Sequence, residues 1–304
     1  MLRYILFSIF LIFFIPSQSC QAEQRHLIQT KEVVVLFEEP LEVVAEDVTS
    51  LYGKLKSELE EMFRWELDFR PTVILVKDRK TFQKMTGNDF FVAFAVPRKK
   101  LIVIDYSKMK GNPFTLGTTL KHELCHLLLH HHIPRSRLPK WLDEGVSQWV
   151  SDGISELITD RKRSVLDEAI LSGNIIRIRR MTRRFPKDKL SLLLAYEESK
   201  SIVQYIKEEF GENGLLSILD HLKNGDEAET AIQKALSVSF DALEGRWYRD
   251  LKRKRTWFVY LATHLYEILF FLAALTAIFG FVKLMIKKMA YKDDEEEEDD
   301  DEYL

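Results

Sequence analysis

The stretch Lys121-His122-Glu123-Leu124-Cys125-His126 decides how this chain is read. On an α-helix, residues four apart sit about 40° apart around the axis and one turn along it. His122 and His126 therefore direct two imidazoles at one point, the separation that a tetrahedral zinc ion takes. Glu123 leans toward the same side, placed to accept a proton from metal-activated water without itself binding metal. The helix this requires opens at Asn112-Pro113, runs to about His132 and stops before Pro134. Cys125 turns away from the metal and reads as a small core residue.

A zinc site needs a third protein ligand. His132 lies six residues after His126, but Leu129 stands where a helix-breaking glycine would have to turn that side chain back. His130 is a further turn up the same stripe. The three histidines 130–132 read as a polar helix end that suits the dipole. The better ligand lies in Leu138-Pro139-Lys140-Trp141-Leu142-Asp143-Glu144-Gly145. Pro139 starts a second helix, able to return antiparallel, with Glu144 in its first turns. Glu144 would complete a His2Glu set with one position open. Asp143 is the rival ligand, or a partner that orients a ligating histidine.

Upstream of the motif the pattern alternates. Glu32–Phe37 reads as a strand, 45–65 as an amphipathic helix, Thr72–Val76 as a strand and Thr81–Met85 as a short helix. Phe90–Val96 and Leu101–Asp105 read as paired strands. The second is expected to be an edge that could pair with an extended substrate backbone. From Lys140 on, nearly everything reads as helix. The fold class is therefore α+β, a small sheet lobe followed by a helical lobe.

Two apolar runs bracket this domain. Tyr4–Ile15, broken by Pro16, has the length of a signal-peptide core and is too short to span a bilayer. The second run, with no charge from Ile268 to Val282, is long enough for a transmembrane helix. A cleaved signal places the middle outside the cytosol, and Lys283, Lys287, Lys288 and Lys292 favour a cytoplasmic C-terminus. The expected organisation is a signal at 1–22, an extracytoplasmic domain at 23–255, a transmembrane helix at 256–286 and an acidic cytoplasmic tail at 287–304.

The formal net charge of −3 hides an uneven distribution. Asp293–Glu302 holds ten acids and reads as a solvated, disordered segment, or else as a dock for a cytosolic protein. The domain itself carries 39 Lys and Arg against 36 Asp and Glu, too balanced for a nucleic-acid partner. Two cysteines make no disulfide framework.

The pair HELCH and W-L-D-E-G, with Glu144 eighteen residues after His126, resembles the gluzincin metallopeptidases. It is closest in kind to the peptidase-MA-like domains related to aminopeptidase N and thermolysin. The similarity continues through Ala195-Tyr196-Glu197-Glu198-Ser199, Val203-Gln204-Tyr205-Ile206 and Phe210-Gly211, and covers about 101–251. It implies a thermolysin-like two-lobe zincin domain acting on a peptide or protein substrate. Zn2+ would be held by His122, His126 and Glu144, with Glu123 as general base. It also implies that Tyr196 stabilises the oxyanion; the plainer reading of Tyr196 is a packed aromatic. The G-x-M-E-N segment of aminopeptidase N, which recognises a free N-terminus, is absent, so the resemblance does not imply exopeptidase action. A catalytically silent binding or assembly module on the same fold is the alternative.

Overall fold

The computed structural model describes residues 25–87, 89–109, 114–152 and 164–301. The expected signal segment and the Asn112-Pro113 helix start lie outside the described residues. Those before Ile133, together with 150–152, form one compact unit, and the others form a second.

The first unit is built on a five-stranded sheet. Strands β1 (Arg25–Gln29) and β2 (Val34–Glu38) pair antiparallel. Helix α1 (Glu42–Phe63) crosses to β3 (Thr72–Val76), which runs parallel to β2. Helix α2 (Arg79–Thr86) leads to β4 (Ala93–Val96), and a short 3-10 turn at Pro97–Lys99 returns the chain as β5 (Leu101–Asp105). The spatial order is β1-β2-β3-β5-β4.

This order corrects one expectation. Leu101–Asp105 is not an edge: β5 pairs in parallel with β3 and antiparallel with β4. The open edge on that side belongs to β4. The apolar content of β5 explains its place, because four of its five residues are buried, as an inner strand requires.

Side-chain alternation divides the core. Val103, Ile74 and Leu101 face α2, where they pack around Phe82. The other face of the sheet meets α1 and α3 (Leu116–His132). Helix α1 presents Val44, Ala45, Val48, Tyr52, Leu55, Leu59 and Phe63 as one buried stripe at helical spacing. At the end of β5, fully buried Asp105 accepts from Arg79 Nη1 at 3.0 Å and from Ser107 at 3.1 and 2.6 Å. These bonds offset the cost of burying its charge.

The second unit is helical. It contains α4 (Lys140–Val150), α5 (Val165–Ser172), α6 (Lys189–Lys223), α7 (Ala228–Leu236), α8 (Phe240–Thr263) and α9 (Leu265–Asp301). Helix α6 is two helices joined at Gly211, whose φ of 73° and ψ of 170° suit a residue without Cβ. Glu197 of α6 ties down the start of α5, accepting from the N–H groups of Val165 and Leu166 and from Ser164 Oγ. Trp247 of α8 is buried and donates to Ser201 at 3.1 Å.

Helix α8 runs to Thr263, and α9 starts at Leu265. Within α9, the 23-residue stretch Leu265–Lys287 holds a window of mean hydropathy 2.3, none of which is buried. At 1.5 Å per residue it is about 35 Å long, enough to cross the roughly 30 Å apolar core of a bilayer. Helix α9 then continues to Asp301, through acids that composition alone assigns to a disordered tail. No Gly or Pro follows Gly280 there, and glutamate is a good helix former.

Candidate active site

Helix α3 is buried on nearly every side between Thr119 and Leu129. Within that apolar helix, His122, Glu123 and His126 are at most 5% exposed. Polar groups kept so dry need a specific reason. The two imidazoles stand edge to face, ring centroids 4.9 Å apart, with their Nε2 atoms 3.2 Å from each other. Two nitrogens bound to one tetrahedral zinc at about 2.05 Å would lie about 3.3 Å apart. The i, i+4 spacing thus delivers the expected ligand separation. On its far side, His122 Nδ1 lies 3.2 Å from Ser151 Oγ. A partner there would fix which nitrogen faces a bound metal and how the ring is turned.

Helix α4 starts as the sequence predicts, with Pro139 accepting from the N–H groups of Leu142 and Asp143. Its first residue, Lys140, donates its backbone N–H to the Thr182 carbonyl at 2.8 Å. Glu144 is fully buried, and its Oε1 accepts from Lys140 Nζ, which also lies 3.6 Å from Asp143. Gly145 lets α4 press against α6: a Cβ there would sit 2.3 Å from the Ser199 carbonyl oxygen. One turn on, Gln148 donates to the Tyr196 carbonyl at 3.1 Å.

His122, His126 and Glu144 each offer one ligand atom, and the three atoms lie within 4.8 Å of one another. Two imidazoles and a carboxylate, all buried, match the donor chemistry of zinc. Two of the competing histidines are engaged elsewhere. His131 pairs with Asp68 at 2.8 Å, and His132 donates to the Glu66 carbonyl at 2.8 Å while packing on Trp65. Asp143 shares Lys140 with Glu144, and it is Glu144 that groups with the two histidines. Cys125 is fully buried.

Tyr196 is 3% exposed on α6 and stands edge to face against Phe185, ring centroids 5.3 Å apart. Two residues on, Glu198 is fully buried and accepts from the Ile176 N–H at 2.9 Å. Burial pushes its carboxyl up to about 8; the Ile176 hydrogen bond opposes that shift and the nearby Glu244 charge adds to it. Ser151 and Gln148 lie outside the motif, and the motif names Gly145 without giving it a packing role. A glycine directly after a candidate ligand was the one available signal of close helix packing.

No curated protein matches this sequence. A sequence model described as the peptidase MA superfamily matches residues 89–253, more than half of the chain, and that stretch contains both halves of the motif. The chain therefore belongs to the peptidase MA superfamily, with a gluzincin-like domain.

Proposed function

We propose that the protein is a membrane-anchored zinc peptidase whose thermolysin-like domain lies outside the cytosol. The observation that carries this reading is the buried His122, His126 and Glu144 set with Glu123 beside it in sequence. Zinc held by that set would supply Lewis-acid polarisation of a scissile carbonyl and acidify water near neutral pH. Glu123 accepts the proton that the attacking water loses and returns it to the leaving amine. Ser151 holds the His122 ring in place through Nδ1. The Tyr196 hydroxyl donates to the oxygen on which charge develops. Helix α9 anchors the domain through Leu265–Lys287, and the lysines at its C-terminal end keep that end in the cytosol.

Glu123→Gln tests the mechanism in the full-length protein. Zinc content measured by mass spectrometry stays at the wild-type level, while hydrolysis of a broad peptide library falls by at least about a hundredfold. Unchanged hydrolysis by Glu123→Gln would refute the mechanism. Zinc retention by a wild-type protein that cleaves no peptide would assign the chain to a silent binding module instead.

A further inference from the structure

The segment 177–187 (RIRRMTRRFPK) carries six bases and no acid. Ile178 and Met181 are buried and hold it down, while its arginines and Lys187 are exposed. Arg179 is used internally, paired with Glu229 and Asp241 and lying over the Phe240 ring. The other five cations, Arg177, Arg180, Arg183, Arg184 and Lys187, make no ion pair among the described residues. The nearest acid in sequence, Asp188, is occupied in accepting from the Ser191 N–H as the cap of α6. Other cations are matched by acids, as Lys121 is by Glu58 and Lys254 by Glu208 and Asp250.

The segment is fixed at four points. Ile176 donates to Glu198 and Ile178 to Glu244, at 2.9 and 2.7 Å. Thr182 accepts from the first residue of α4, and Phe185 stands against Tyr196. Two of these anchors are parts of the proposed site. Lys140, capped by Thr182, precedes Glu144 by four residues, about 6 Å along the helix. The anchored backbone thus presents exposed arginines that make no ion pair among the described residues, a surface suited to carboxylates.

We infer that this arginine-rich segment selects acidic peptide substrates, binding carboxylates a few residues from the bond to be cleaved. Attachment to α4 and Tyr196 favours a peptide over an anionic membrane surface. The inference rests on the peptidase reading for its substrate, but its charge selectivity is tested by binding alone.

The test uses full-length Glu123→Gln protein in zwitterionic detergent and fluorescent peptides identical except for a Glu/Asp block or its Gln/Asn counterpart. The acidic peptide binds about tenfold tighter at low salt, and the gap closes at high salt. Arg183→Glu/Arg184→Glu removes the preference without changing the melting temperature, and Arg183→Gln/Arg184→Gln reduces it. With active protein, the charge-reversed variant raises KM for the acidic peptide and leaves kcat and the neutral peptide unchanged. Equal binding of the two peptides, or a preference that survives charge reversal, overturns the proposal. Binding to phosphatidylglycerol vesicles without acidic-peptide selectivity also overturns it, in favour of a lipid surface. Selective binding with no hydrolysis by the wild type leaves the charge reading standing and refutes the peptidase reading instead.

Discussion

Replacing Gly145 by alanine tests whether the candidate ligand helix owes its position to backbone contact. A Cβ at 145 would lie 2.3 Å from the Ser199 carbonyl oxygen, 2.9 Å from its carbon and 2.6 Å from Val203 Cγ2. The valine methyl has some freedom, but the carbonyl belongs to α6 and has none. Restoring ordinary contact requires α4 and α6 to part by roughly 1 Å in a close-packed interior. Overpacking of this kind costs about 1–3 kcal/mol, and here the upper end applies because backbone is struck. Alanine recovers about 1 kcal/mol of helix propensity. The net loss is about 2 kcal/mol, a fall of about 4–8 °C in melting temperature for a domain of this size. Glu144 is the neighbouring residue, and ligand distances tolerate only about 0.2 Å. Zinc affinity, measured by chelator competition, therefore falls by about 10–100-fold. Gly117→Ala is the control, because a Cβ there meets nothing and its helix gains up to about 1 kcal/mol. A Gly145→Ala protein that melts and binds zinc like the wild type would refute the reasoning.

Three further substitutions probe other links. Ser151→Ala, which removes the group beside His122 Nδ1, lowers zinc affinity about 10–100-fold while leaving the melting temperature of zinc-free protein within about 1 °C. Asp105→Ala leaves the Arg79 guanidinium without its buried partner and costs about 3–5 kcal/mol; Asp105→Asn costs less, and thermal unfolding ranks the two. Glu198 stays protonated in the folded protein up to about 8, whereas the unfolded chain releases that proton near 4.5. Its contribution is therefore full below 4.5 and is lost as pH rises toward 8, a slope of about 1.4 kcal/mol per pH unit in that window. Glu198→Gln keeps an acceptor for the Ile176 N–H and flattens this slope, so it outlasts the wild type in melting experiments at pH 8 and matches it at pH 4.

The sequence was most legible where periodicity and chemistry coincide. His122, Glu123 and His126 announce one another by spacing, and β3 and β5 are apolar runs of strand length. Strand β1 gives little signal because it is an edge strand: Leu27 is 55% exposed and Ile28 only half-buried, so its pattern marks no core face. The inner position of β5 was misjudged because pairing order depends on which crossover brings β3 alongside, and single-strand composition does not encode that. Ser151 sits 29 residues from the histidine it faces, beyond any local pattern.

What makes Glu144 a credible ligand is how little freedom α4 has. Its first N–H is taken by Thr182, its middle is pressed against the Ser199 carbonyl, and Gln148 fastens its last turn to Tyr196. These restraints all lie within the helical unit and act on an eleven-residue helix, too short to be stable by itself. The first two act backbone against backbone, so they depend on no side-chain rotamer; only the Gln148 bond does. A carboxylate on such a helix is placed by the fold before any ion arrives, which is the preorganisation that metal affinity and catalysis both need. The same segment that caps α4 at Thr182 also carries arginines that make no ion pair among the described residues. The local structure that fixes the candidate ligand therefore also fixes the charge that a substrate would meet.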